Sequence, residues 1–230
     1  MSSPPHSHSS RRAIRVWDLP TRLFHWILVL GVIALVITGQ VGGQAMVWHF
    51  RLGYLVGSLL VFRLAWGLVG GYYSRFASFI YSPKSILNYI KGMPNPSHLV
   101  GHNPLGAGSV FAMIGLLVMQ VATGLVSDDE IAFAGPLTRF VSGQWVSLAT
   151  HYHKEIGKVL IIVLVLLHVA AIVFYRVKKK ENLVKPMLVG DKEVTHDVPQ
   201  STDSVATRTM ALVIWLAAAG LFWWISTYAV

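Results

Sequence analysis

Five runs of apolar residues, separated by polar connections, dominate the chain at roughly 22–41, 46–69, 104–126, 153–175 and 209–229. A bilayer core of about 30 Å takes about 20 mostly apolar residues as an α-helix, so each run predicts one membrane span. The second run contains Arg51 and Arg63, both within a few residues of a predicted membrane face, where a long side chain can snorkel to the headgroups. Between spans, "YSPKSILNYIKG" predicts a short helix with Ser82 as N-cap, Pro83 at its first position and Gly92 as its stop. "GPLTRFVSGQWVSLATHYH" is the second connection expected to hold a short helix; it carries Phe140, Trp145 and Leu148 among few charges and would cover one face of the bundle. No internal repeat is apparent. The expected organisation is all-α: a disordered leader over 1–15, a four-helix membrane domain over 16–188, a polar linker over 189–207 and a fifth, C-terminal transmembrane helix over 208–230.

Composition agrees with burial in lipid. Of the 230 residues 54% are hydrophobic and 13% charged, about half the charged share of an ordinary soluble domain. The net charge of +9 does not point to nucleic acid, because most basic residues flank the apolar runs, as in membrane topology signals. Arg11, Arg12, Arg15 and Arg22 precede or open the first span, Arg75, Lys84 and Lys91 lie between the second and third, and "RVKKK" follows the fourth. The opposite side holds an uncharged turn at 41–45 and the connection 127–152, where Asp128, Asp129 and Glu130 face a single Arg139. The positive-inside rule then places the N-terminus in the cytoplasm and the C-terminus on the far side. The opening "MSSPPHSHSSRR" has no apolar h-region and is expected to be a cytoplasmic leader, not a signal peptide.

The chain has no cysteine, which excludes disulfides, thiolate-held iron–sulfur clusters, Cys-ligated zinc and a covalently attached c-type haem. A cofactor must therefore be held by His, Met or oxygen ligands, and ten histidines make His the first candidate. His25 lies near the start of the first span, His49 near the start of the second, and His153 opens the fourth. At about 1.5 Å per residue, His168 lies roughly 22 Å beyond His153. Two histidines thus fall near each membrane face on different helices, His25 with His168 and His49 with His153. One imidazole from each of two facing helices is the arrangement a six-coordinate b-type haem iron needs.

Gly53 and Gly157 follow His49 and His153 by four residues, on the same helix face, and are expected to leave room for a flat macrocycle. Arg51 and Lys158 at one depth, and Arg22 and Arg63 at the other, are candidate partners for haem propionates. Competing readings are interfacial histidines, a zinc site, which two depths would split into incomplete halves, and a proton relay, for which the spans lack interior acids. His151 competes with His153, although it lacks a glycine four residues on. His98 and His102 lie at the entry to the third span, and His102 is a candidate for capping that helix, for touching a propionate or for lining a quinone site.

These residues resemble the bacterial cytochrome b-561 group, which includes the b-type subunits of nickel–iron hydrogenases. The resemblance rests on "VWDLPTRLFHW", "HFRLGYLVGSLLVFRLAWGLVGGYYSRFASF", "GHNPLGAGSV", "TGLVSDDEIAFAGPL" and "ENLVKPMLVGDK", and covers roughly residues 16 to 192. It implies a four-helix haem-binding bundle in a bacterial inner membrane, with two b haems bound through His25, His49, His153 and His168. It also implies electron transfer between a quinone pool or a dehydrogenase or hydrogenase and a cytochrome c partner. The fifth span departs from that core. Two other readings remain: a stand-alone quinone or superoxide oxidoreductase with a site beside one haem, and a non-redox scaffold.

Overall fold

The computed structural model describes residues 12–228. Among them, five helical runs are long and apolar enough to cross a membrane. These are α1 (Leu19–Val41), α2 (Ala45–Val69), α4 (Pro104–Leu125), a continuous run over Gly143–Val177, and α8 (Val205–Tyr228). The fourth run is built from α5 (Gly143–His151), a π-helical turn (Tyr152–Gly157) and α6 (Lys158–Val177). It starts ten residues before the predicted span, so the helix that carries Trp145 and Leu148 runs on into the span instead of standing apart from it. Gln144, Ser147, Thr150 and His151 lower the hydropathy there, while no proline or glycine interrupts 144–156.

The central element is α2. It packs against α1, α4 and α8, whereas α6 packs on α4 and makes no extensive contact with α1 or α2. A mid-level cluster of Val56 and Leu60 from α2, Leu117 from α4 and Ile161 from α6 is joined by Leu28, Val32 and Leu35 of α1. Four spans therefore meet at one apolar layer, roughly halfway between the two histidine depths. α8 lies on the side of α2 where Gly57 faces Phe222; a Cβ on Gly57 would strike the Phe222 ring.

One end of the bundle carries a folded cap that the sequence pattern did not predict. β1 (Arg12–Arg15) pairs antiparallel with β2 (Asp191–Val194), Arg12 opposite Val194 and Arg15 opposite Asp191. The last leader residues and part of the expected linker are thus strand; residues 1–11, the rest of that leader, lie outside the described residues. Ile14, Val16, Trp17, Tyr73, Val100, Val194 and Val198 form a small core beneath this pair, enough apolar surface to hold two four-residue strands. Asp18, fully buried, caps α1 by accepting from the Thr21 amide at 2.8 Å, and also accepts from Ser74 Oγ at 2.6 Å and Trp66 Nε1 at 3.2 Å.

The predicted short helix is present as α3 (Pro83–Ile90), with Ser82 accepting from the Ser85 amide and Gly92 at φ +77°. Tyr89 of α3 hydrogen-bonds Tyr175 of α6, and Asn103 Nδ2 donates to the same Tyr175 hydroxyl at 2.9 Å. α7 (Val184–Val189) closes the cap against α1, where Trp26 Nε1 donates to the Met187 carbonyl at 3.2 Å. The opposite, loop end is formed by 127–142. There Asp129 Oδ1 accepts from the amides of Ile131, Ala132 and Phe133 at 3.0, 2.9 and 2.9 Å.

Candidate functional site

At the loop end, the imidazoles of His49 on α2 and His153 in the π turn face each other with ring centroids 6.1 Å apart and planes at 84°. Metal–imidazole bonds are about 2 Å long, so this separation accommodates one metal between two ring nitrogens. Each ring is anchored by its other nitrogen. His49 Nδ1 bonds the Leu35 carbonyl at 3.1 Å, and His153 Nδ1 bonds the Gln120 carbonyl at 2.9 Å. A carbonyl only accepts, so both Nδ1 atoms carry the proton and both Nε2 atoms keep a lone pair. That tautomer, fixed through a backbone carbonyl, is the one a metal-binding histidine uses.

The two anchors are built alike. Val36-Ile37-Thr38-Gly39 on α1 and Val121-Ala122-Thr123-Gly124 on α4 seat the two rings. In each, the acceptor carbonyl lies four residues before the glycine, and the glycine lies against the imidazole. A Cβ would come within 3.1 Å of His49 Cε1 at Gly39 and within 2.7 Å of His153 Cε1 at Gly124. The threonines turn their hydroxyls back onto their own helices, Thr38 to the Ala34 carbonyl at 2.7 Å and Thr123 to the Met119 carbonyl at 2.8 Å. Gln120 acts twice, because its Nε2 also donates to the His153 carbonyl at 2.9 Å. None of Leu35, Thr38, Gly39, Gln120, Thr123 and Gly124 was singled out from the sequence. The repeated V-x-T-G was the available signal, but each copy alone is ordinary for a packed membrane helix.

The π turn changes the angular relation between His153 and His168. A π turn takes one extra residue, so fifteen residues rotate the helix as about fourteen α-helical residues would, about 40° short of four turns. The two side chains therefore leave α6 on closely similar faces. His151 lies elsewhere. It is exposed and lines a surface cavity of about 680 Å³ with Asp128, Arg139 and Glu155.

Gly53 has no atom within 4 Å of its would-be Cβ, whereas the space beside Gly157 is taken by Gln120. The room expected next to His153 is thus filled by the side chain that braces it. Arg51 is exposed over the Trp48 ring, 5.1 Å from its centroid, and Lys158 Nζ reaches Gln40 Oε1 at 3.5 Å.

The cap end is different in kind. His25 of α1, His168 of α6 and Arg63 of α2 all lie within electrostatic reach of His102, just before α4. His102 does not cap α4; Asn103 does, accepting from the Gly106 amide at 2.8 Å. His102 instead sits between Trp17 and Phe79, at centroid distances of 4.7 and 4.4 Å. Burial, then the charge of Arg63 and the neighbouring His168 and His25, pushes its pKa down to about 3, so it is a neutral imidazole. Arg63 does not snorkel: it is 3% exposed, with Cζ 4.7 Å from the centre of the Phe76 ring. Its position on the central helix surrounds it with protein.

Arg22 Nη1 donates to the Leu188 carbonyl at 2.6 Å. Buried atoms without a protein partner gather at this end: His25 Nδ1, His102 Nδ1, Arg22 Nε and Arg63 Nη1. Buried polar groups are nearly always paired, so several in one place point to a bound group with acceptor atoms.

Among the described residues, no group of three or more His, Cys, Asp or Glu is arranged to hold a metal ion. A pair of imidazoles is too few for a bare ion, which takes about four or more ligands. It suits an iron that arrives with its in-plane ligands already supplied by a macrocycle. The histidine pairs and the orphaned donors therefore fit haem.

Comparison with known proteins agrees with this chemistry. The model of the family described as prokaryotic cytochrome b561 matches residues 16–190. A probable Ni/Fe-hydrogenase B-type cytochrome subunit of Rhizobium leguminosarum bv. viciae is 26% identical over 216 residues, covering 79% of this chain and 90% of the relative. The similarly named protein of Cupriavidus necator is 26% identical over 217 residues, covering 80% and 88%. A probable Ni/Fe-hydrogenase 1 B-type cytochrome subunit of Escherichia coli K12 is 27% identical over 141 residues, covering 50% and 60%. No solved structure matches. The family match spans α1 to α7 and both histidine levels, and α8 falls outside it.

Proposed function

The chain belongs to the prokaryotic cytochrome b561 family, and on that premise we propose that it carries electrons across a bacterial inner membrane between two b haems, one at each histidine level. The observation that carries this reading is the loop-end pair, two facing imidazoles whose Nδ1 protons are committed to backbone carbonyls. His49 and His153 would hold one haem, and His25 and His168 the other. Haem supplies a one-electron iron couple, and with both axial positions filled by imidazole the iron exchanges electrons instead of binding oxygen.

The remaining residues tune and hold. The Leu35 and Gln120 carbonyls raise the basicity of the loop-end imidazoles. The layer of Val56, Leu60, Leu117 and Ile161 keeps water and ions from the path between levels. Arg22 and Arg63 supply positive charge at the cap end, and Arg51 and Gly53 are assigned to the loop-end haem, as is Gly157 through Gln120.

Orientation follows the basic residues. Arg12, Arg15, Arg75, Lys84, Lys91 and Lys178 to Lys180 are on the cap side, and Asp128, Asp129 and Glu130 are on the loop side. The cap is therefore cytoplasmic, and the C-terminus is periplasmic. The relatives' names favour a hydrogenase as the protein partner, with another dehydrogenase or a cytochrome c as the alternatives. Quinone is the mobile partner assigned to the cap end, where a cavity of about 300 Å³ is lined by Tyr73, Phe79, Tyr81, His98 and His102.

Proteoliposomes that enclose ferricyanide test the function. Adding a quinol outside should bleach the enclosed ferricyanide with wild type and not with His49→Ala or His168→Ala. Equal rates in wild type and both variants would refute transmembrane transfer through these levels.

A further inference from the structure

We propose that Arg63 and His102 together form the seat of a haem propionate at the cap end, an assignment that rests on the di-haem reading above. From the sequence, capping α4, touching a propionate and lining a quinone site are all open for His102; with the cap role taken by Asn103, the packing decides among the others.

Four observations converge on this pair. Arg63 is a guanidinium 3% exposed inside a membrane span, and its Nη1 has no protein partner. The carboxylate acting on it electrostatically, Asp18, already accepts from Thr21, Trp66 and Ser74. His102 Nδ1 is likewise buried and unpartnered. Finally, one aromatic wall connects the two side chains. Arg63 lies over Phe76, the Phe76 and Phe79 centroids are 5.9 Å apart, and Phe79 packs on His102 at 4.4 Å. That wall is pressed onto the α2 backbone at Gly67, one helical turn after Arg63, where a Cβ would strike the Phe76 ring.

A guanidinium Nη1 and an imidazole Nδ1, a donor in its Nδ1–H tautomer, both buried without a partner, form an unfavourable arrangement for a protein alone. A carboxylate reverses it. It has two oxygens to accept from two donors, and a charge to meet that of the guanidinium. A free carboxylate from solution has the same chemistry. A haem propionate is favoured because His25 and His168 both lie within electrostatic reach of His102, so the seat adjoins the pair that would hold the macrocycle.

The test uses the full haem-loaded chain and three variants. His102→Phe keeps a flat ring between Trp17 and Phe79 but removes the donor; His102→Asn keeps a donor near the Nδ1 position; Arg63→Met removes the cation. Haem per chain, the propionate bending band in resonance Raman and the two midpoint potentials are measured. The cap-end component is identified as the one lost in His168→Ala.

In His102→Phe and Arg63→Met, the propionate band of the cap-end haem should shift and its midpoint should fall, with the loop-end component unchanged. His102→Asn should keep the wild-type band. If His102→Phe fails to retain the cap-end haem, His102→Asn decides: a wild-type band supports the seat, and loss of haem there too overturns it. Unchanged bands and midpoints in His102→Phe and Arg63→Met, with two haems bound, would also overturn the seat, including in favour of a solvent anion, while leaving the di-haem reading intact. A wild-type chain with fewer than two haems would instead sink the di-haem reading itself.

Discussion

At His153 an imidazole is fixed by a carbonyl on one side and by the bare backbone of Gly124 on the other. A methyl at Gly124 would stand 2.7 Å from the ring, against 3.1 Å for the equivalent change beside His49 at Gly39. Overpacking of this kind costs about 1–3 kcal/mol. Gly124→Ala should therefore perturb the loop-end haem more than Gly39→Ala, seen as a larger change in its low-spin EPR g values and a lower haem-to-protein ratio. Asp129 offers a pH test away from the membrane core. Hydrogen bonds from the Phe133, Ala132 and Ile131 amides hold its carboxyl below the ordinary 3.8. A depressed folded pKa contributes stability above the unfolded value and loses it as pH falls through the folded one. Hydrogen-exchange protection of those three amides should hold above pH 3.8 and drop only at more acid pH. The facing of His49 and His153 was legible in the sequence because an imidazole in an apolar run stands out. The carbonyls and glycines that seat these two rings were not, since which backbone faces a ring is decided by how α1 and α4 pack.

Among the elements, the π turn makes the sharpest claim. It adds one residue between His153 and His168, so removing one residue inside it converts it to ordinary helix and preserves the register. Deletion of Glu155 should leave both haems bound. Deletion of Val163, in regular α6, should swing the two histidines apart by about 100° and cost one haem, as haem-to-protein ratios will show. The cap is tested at Asp18. Asp18→Ala strands the Thr21 amide, Trp66 Nε1 and Ser74 Oγ together, a loss of about 3 kcal/mol or more that should appear as a lowered thermal midpoint. Span positions were legible from hydropathy alone. The cap was not, because β1 and β2 are four residues each and lie about 180 residues apart in sequence. No local pattern announces such a pairing. The early start of the fourth helical run escaped for a related reason: polar Gln144, Ser147 and Thr150 hide a helix that hydropathy sees only from residue 153.

For the whole molecule, the organising fact is that α2 is enclosed while α6 is not. Half of the most apolar stretch of α2 is buried in protein, against 11% for the Gly143–Val177 run. Arg63 is tolerated on the former, and the latter presents two histidines from a helix held mainly by α4. The two levels should therefore behave as separable redox centres sharing one helix. A potentiometric titration of the wild type and of the His25, His49, His153 and His168 alanine variants tests this directly. Two components are expected in the wild type. His49→Ala and His153→Ala should remove the same one, and His25→Ala and His168→Ala should remove the other. A single component in the wild type, or removal that does not sort by these pairs, would contradict the account.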